Sequence, residues 1–343
     1  MPTELAPTVA DDSTLPRFAV PSEVRQWGAR VHVAQRSATR VALMLSETVL
    51  LYAAFIAVGE TIDRWYAWVV AWIGLVMCMM RVDAVHHEAV HRSLFVRRWA
   101  NDVVAGLSGA IEGLHGPTYR CFHLTHHALT RQDHDVSDPE AFYDEVLTRP
   151  LVVGPLRVRA RAVYVIGVVI GGVSFAVQLV TGTLMTFLGR PPSYVGAASL
   201  GRHVRRWGVL PFALWGSVSA VAIVTGHAGE LLKWWVVPML LFLCGPYTFF
   251  ALPEHYAAPH NKPMMTSTGS VRTTGLYRWV TLDGNYHLAH HIFPNASWWR
   301  LADADAQLRN ASTLRYPGYL SFHRGVWRDL GVSSASGNEA PAR

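Results

Sequence analysis

The sequence is poor in cysteine. Only Cys78, Cys121 and Cys244 occur among 343 residues. They form no CxxC pair and no disulfide framework. Charge is also scarce, with Asp, Glu, Lys and Arg together making up 16% of the chain. The balance is basic, with a formal net charge of +6. Such a balance can point to nucleic acid, but the basic residues here flank long apolar segments. Loops that set membrane topology explain them better, so no nucleic-acid partner is expected. The first 20 residues lack the apolar core of a signal peptide. Residues 1–35 read as an N-terminal tail, partly disordered, and 331–343 as a disordered, Ser/Ala/Gly-rich C-terminal tail. The intervening 36–330 reads as one membrane-embedded domain.

What the chain has in quantity is apolar surface and histidine. Hydrophobic residues make up 51%, with 13 Trp and 12 Tyr to serve interfacial aromatic belts. Apolar runs lie at about 41–58, 66–82, 163–188, 207–225 and 232–252. About 20 apolar residues suffice to cross a bilayer core. Of the 17 histidines, eight fall in three short boxes. They are His87-Glu-Ala-Val-His91, His123-Leu-Thr-His126-His127 and His287-Leu-Ala-His290-His291.

The spacing inside each box has a geometric meaning. Residues three or four apart share a helix face. His87 and His91 therefore point the same way, as do the members of the other two boxes. The adjacent pairs His126/His127 and His290/His291 diverge by about 100° on a helix, so neighbouring imidazoles can reach two different metals. Neutral imidazole suits iron and zinc. Eight such ligands exceed the four of a tetrahedral zinc and suit two metals that keep open positions.

One metal site needs all three boxes on one side of the membrane. Boxes one and two follow the first two runs and box three follows the last, so an even number of crossings must separate them. The run 163–188, with arginines on both sides, is the segment expected not to cross. The expected fold is all-α and integral to the membrane. Four transmembrane helices form two hairpins, with interfacial helices and a cytosolic cap that carries the boxes. The segment 99–114 is expected to lie along the interface.

At this point the residues resemble the membrane fatty-acid desaturase superfamily of histidine-box diiron desaturases and hydroxylases. Thr130 and Asp138-Pro139-Glu140 follow box two in the family manner. Asn285-Tyr286-His287-Leu288-Ala289-His290-His291-Ile292-Phe293-Pro294 is very close to the family's NYHxxHHxFP. Glu254-His255 stands where the family adds a ninth histidine. Arg131 stands where many relatives carry a polar Asn, and Ala251, which cannot bind metal, where some acyl-CoA desaturases have a ligand-side Asn, so the full acyl-CoA-type ligand shell is not implied.

The resemblance implies a non-haem centre of two iron ions with O2 as co-substrate. The implied ligands are His87, His91, His123, His126, His127, His255, His287, His290 and His291. Acids near the boxes would orient the imidazoles, with Glu88, Asp138, Glu254 and Asp283 as candidates; Asn285 joins them as a box-flanking polar residue. His86 and His134 adjoin boxes out of phase. His115, His203, His227, His260 and His323 have no box context.

The implied activity is an oxidoreductase that inserts a double bond into a fatty-acyl or lipid chain. A hydroxylase or ketolase of a lipid or carotenoid is the alternative. With no haem-binding HPGG and no cysteine cluster, electrons come from a separate ferredoxin or cytochrome b5-like carrier with its reductase. The expected setting is the plasma membrane of a bacterium, with the metals and both termini cytoplasmic. Two rivals are an intramembrane zinc metalloprotease and a His-rich metal transporter. The first would use His87-Glu88-Ala89-Val90-His91 with Leu282-Asp283-Gly284; the second would need ionisable groups within the spans.

Overall fold

A computed structural model describes residues 22–31, 34–62, 64–132, 151–153, 156–158, 160–256, 258–309 and 314–336. Two long helices come first, α2 (Ala38–Ile62) and α3 (Trp65–Val90), after a short α1 (Ser22–Arg30). Both long helices are free of proline and carry the first two apolar runs. They pack antiparallel, with Gly74 against Phe55 and Arg81 against Glu47 and Thr48. At 1.5 Å per residue each spans roughly 38 Å, more than a bilayer core of about 30 Å. Their outward side chains are apolar: Val49 is 67% exposed and Ile73 60%. Exposure of that kind on a helix flank suits lipid rather than water.

Box one lies at the C-terminal end of α3, with His91 just beyond its last turn. The chain then turns through 91–97 into α4 (Arg98–Glu112) and α5 (Gly116–Leu129). The polar residues that interrupt the apolar pattern here are fasteners. Asn101 accepts from the amides of Leu94 and Phe95 and donates to the carbonyls of Phe95 and Arg97. Asp102 takes Arg92 at 2.9 Å. Gly113, at φ +87, ends α4 in the left-handed conformation that glycine tolerates.

Next come a small antiparallel pair, β1 (Leu151–Val153) and β2 (Leu156–Val158), and α6 (Ala160–Phe187). α7 (Ala198–Trp207) and α8 (Val209–Val224) follow, then α9 (Ala228–Leu243) and a continuation, α10 (Pro246–Glu254). Four stretches are long and apolar enough to cross a membrane: α2, α3, α6, and α7 with α8. The pair α9–α10 passes the same test together but bends by 41° at its break. The break is chemical. Gly245 sits at φ +132, which a side chain would strain, and Pro246 lacks the amide to continue the ladder. The run 163–188, expected to stay on one side, is thus long enough to cross on length alone.

The remaining elements form a cap. α11 (Gly275–Val280), α12 (His287–Ile292), α13 (Leu301–Leu308) and α14 (Tyr319–Ser336) surround a two-residue parallel pairing of β3 (Ser270–Val271) with β4 (Arg315–Tyr316). A buried arginine ties the cap to the helices. Arg81 donates to the carbonyl of Trp279 at 2.6 Å, to Glu47 at 2.6 Å and to Thr48 at 3.1 Å. Within the segment read as a tail, α1 docks on the cap: Val24 is buried with Leu301 and Leu308, and Trp27 meets Phe293 at 6.2 Å. At the other end helix α14 extends through 331–336.

Candidate metal centre

Four elements bring nine imidazoles together. α3 supplies His87 and His91, α5 supplies His123, His126 and His127, and α12 supplies His287, His290 and His291. His255 follows directly on α10. They divide into two groups whose nitrogens lie within 4.8 Å of one another. One holds His87, His91, His123, His127 and His290, and the other His126, His255, His287 and His291. Three pairs within a group are four apart on one helix: 87/91, 123/127 and 287/291. The adjacent pairs on α5 and α12 split between the groups, as an angle of about 100° per residue requires.

The Nε2 atoms face each other. In the first group His123 stands 2.7 Å from His91 and 3.1 Å from His127, and His127 stands 3.0 Å from His290. In the second, His287 stands 3.0 Å from His255 and 2.9 Å from His291, and His126 lies 3.3 Å from His291. Two donors each about 2.1 Å from one ion, at an angle near 90°, stand about 3 Å apart. These spacings therefore fit ligands that share an ion. The rings of His127 and His291 stack at 4.1 Å, so the groups share a wall.

The electrostatics agree. His91, His123, His127, His287, His290 and His291 are held well below the ordinary histidine value of 6.5, first by burial and then by neighbouring charged groups, mostly imidazoles. They stay neutral at pH 7, with lone pairs available to a cation. A donor set of neutral, convergent nitrogens fits two transition-metal ions.

The candidate orienting groups fare differently. Glu88 is buried and accepts from Ser93 Oγ at 2.6 Å, so it closes the turn after box one. Asp283 accepts from Arg278 Nε at 2.6 Å, at φ +59. That use removes the protease reading, since Asp283 is absent from the ligand atoms gathered around His87 and His91. Asn285 donates to the carbonyl of Val271 at 2.9 Å and fastens box three to β3 rather than to an imidazole. Asp138 and His134 lie outside the described residues. Glu254 stands 3.5 Å from His287 Nε2.

Several positioning contacts have no sequence signal. The Ser267 carbonyl meets His255 Nδ1 at 3.1 Å and sets its tautomer. Tyr119 stacks parallel on His123 at 5.3 Å. Arg131, the departure after box two, donates to the carbonyl of Ala258 and so links box two to the segment after His255. His86 is fully buried against Glu112, with Asp83 beside them, a third group of ligating atoms. His115 and His323 are structural: His115 meets the Gly208 carbonyl at 3.0 Å, and His323 meets Tyr164 Oη at 2.6 Å.

Two cavities open on the imidazoles. One of about 960 Å³ runs from His87, His287 and His290 past Ala251 to Met80 and Phe242. The other, of about 620 Å³, is lined by Phe122, Phe175, Tyr247 and Leu252. They share Tyr119, His123, Tyr247 and Ala251, so the two cavities adjoin beside the first group.

The sequence model of a family described as fatty acid desaturase matches residues 63–323, which contain all nine histidines. A protein of Nostoc sp. (strain 36), described as an sn-1 acyl-lipid omega-3 desaturase (ferredoxin), is 24% identical over 292 residues. The match covers 80% of this chain and 76% of that one.

Proposed function

The chain belongs to the fatty acid desaturase family, and on that premise we propose that it is an O2-dependent oxidase that inserts a double bond into a lipid-borne acyl chain. It is an oxidoreductase of the desaturase and hydroxylase type, in a multi-pass membrane protein. The observation that carries the finer reading is the juxtaposition of the two imidazole groups with the cavity lined by Phe122, Phe175, Tyr247 and Leu252. Two iron ions held there would supply the oxidant for an unactivated C–H bond, with O2 as co-substrate.

The protein's own part is placement. Phe122, Phe175, Tyr247 and Leu252 would hold a hydrocarbon segment against His123 and His87 and keep water off it. Reducing O2 to two waters takes four electrons and four protons, and removing two hydrogens from the acyl chain gives two of each, so a carrier would bring in the other two electrons. Exposed Arg97, Arg98, Arg202, Arg205 and Arg206 favour an acidic carrier by long-range attraction. A ferredoxin fits that role, as the name of the Nostoc relative says of that protein. A hydroxylase reading has one observation in its favour. Asp83, Tyr277 and Tyr319 also line the larger cavity and could hydrogen-bond an oxygenated product. Cells that express the chain with a ferredoxin and its reductase should accumulate acyl chains lacking two hydrogens, and only when the carrier is supplied. Chains that gain one oxygen instead would select the hydroxylase. Unchanged lipids with a fully loaded protein would refute both.

The reading needs all three boxes on one face. Contacts favour four crossings, with both ends of α6 on the side of the boxes. The turn between α8 and α9 lies beside the turn between α2 and α3, where Lys233 takes Glu60 at 2.9 Å and Tyr52 donates to the Trp234 carbonyl. α8 and α9 then run as a second hairpin beside the first. Helix α6 starts beside the cap, where Tyr164 meets His323. It ends beside α5, where Thr183 meets His115 and Thr118. Its glycines serve contact: Gly172 lies against the Leu243 carbonyl and Gly171 against Thr248. In a Cys244→Ser background, Arg161→Cys and Arg202→Cys should react with an impermeant thiol reagent from the same side, the cytoplasmic one. Labelling from opposite sides would overturn this topology and the inner-membrane orientation built on it.

A further inference from the structure

The two imidazole groups are unequal. One has five nitrogens and the other four. Five imidazoles already nearly fill a six-coordinate ion, whereas four leave the second ion short. Glu254 stands where the shortage is. Its Oε2 lies 3.5 Å from Nε2 of His287. That is the nitrogen that faces His255 and His291, so the carboxylate approaches the metal-facing side of the ring and not the Nδ1 side, where an orienting group belongs. Two donors about 2.1 Å from one ion, at angles of 90–110°, stand about 3.0–3.4 Å apart. The Nε2–Nε2 distances of the group, 2.9–3.3 Å, match that spacing; the carboxylate lies just outside it from His287 and more than 4.8 Å from at least one other nitrogen of the group, so a side-chain rotation has to bring it onto the ion.

The local fold explains the approach. The break at Gly245 and Pro246 redirects the last apolar segment so that Ala251 and Glu254 both line the larger cavity with His287. The backbone of Glu254 is pinned there, because its carbonyl accepts the amide of Gly269 at 2.7 Å. Its side chain is 27% exposed, partly desolvated yet reachable from the cavity. A carboxylate is a hard anionic donor and suits a divalent first-row ion that imidazole also suits.

We infer that Glu254 is a ligand of the second metal, completing a four-histidine, one-carboxylate shell beside the five-histidine one. This rests on the two-ion reading above. The carboxylate makes the two sites chemically different: one neutral in its protein ligands, the other carrying one negative charge. A carboxylate donor stabilises the higher oxidation state of its ion, so the more easily oxidised member of the pair would lie at His126, His255, His287 and His291.

The test uses the full chain in detergent, stripped of metal and titrated anaerobically with Co(II), whose visible absorption reports coordination number. Wild type should take up two ions. In Glu254→Gln one of the two should bind at least about tenfold more weakly, and its absorption should strengthen toward the four-coordinate form. His87→Ala, which weakens the five-histidine group, lets the other be read alone; adding Glu254→Gln to it should reproduce the same shift. Tyr277→Phe controls for a role through hydrogen bonding to the tyrosines beside the carboxylate. If Glu254→Gln binds both ions as wild type does, with an unchanged spectrum, or if Tyr277→Phe reproduces its effect, Glu254 is not a ligand. A wild-type chain that takes up fewer than two ions overturns the two-ion reading itself, and the ligand with it.

Discussion

His123→Ala is expected to abolish turnover and to release one of the two metal ions. The imidazole it removes is 5% exposed, and its Nε2 is the shared neighbour of His91 and His127. Tyr119 stacks on the ring, and the same ring lines both cavities, so its removal takes away a donor and leaves a gap between them. Removing an outer orienting group typically costs 10–100-fold in affinity or activity. Loss of a direct ligand at the junction should cost more than about 100-fold in turnover. Two controls bracket it. Glu88→Gln touches the Ser93 turn and should stay within the outer-group range. His323→Ala lies among Tyr164 and Phe249, outside both groups, and should keep both ions. The measurement is iron per chain together with turnover. Retention of two ions in His123→Ala, with activity within tenfold of wild type, would remove the residue from the centre.

The second large effect is expected at Gly116. A Cβ there would land on the Ala105 carbonyl, well inside van der Waals contact, with the Gly106 backbone behind it. Gly109 faces Gly116 from the same helix at comparable closeness. A clash with a flexible side chain can relax, but a clash with helix backbone forces α4 and α5 apart. Overpacking of well-packed interiors costs about 1–3 kcal/mol, and backbone displacement lies at the upper end or beyond. The consequence reaches the site, because α5 carries three of the nine imidazoles. Gly116→Ala should lower the melting temperature by several degrees and reduce bound iron at the same time. Gly216→Ala on α8 is the matched control, with nothing near its Cβ. It should be neutral or slightly stabilising through helix propensity. If Gly116→Ala melts and binds iron as wild type does, the close packing of α4 on α5 is wrong.

Much of this was readable from residue order. Helix spacing alone says that His126 and His127 diverge, and they sit in different groups. The run at 41–58 locates a helix that the structure extends to Ala38–Ile62, the added turns being too polar at their ends to register as apolar. The three boxes, with His255 added by the family likeness, named all nine imidazoles. What stayed hidden is what tertiary proximity creates. Asp283 looks like an orienting acid in sequence but is spent on Arg278, five residues back. Arg81 and Glu47 lie 34 residues apart, and nothing in either run says that Arg81 reaches the Trp279 carbonyl. The two short turns after Gly245 also escape periodicity, because six- and three-residue helices have too few turns to show it. Yet they place Glu254 and His255.

The sharing of α5 and α12 between the two groups has a mechanical meaning. Each helix sends imidazoles to both: His123 and His127 one way and His126 the other from α5, His290 one way and His287 and His291 the other from α12. A rigid helix cannot adjust one set without dragging the next. The two pockets therefore behave as one machined part with two bores. A shift of 1 Å in either helix, from whatever cause, throws both out of alignment together, and neither pocket can drift toward a different geometry alone.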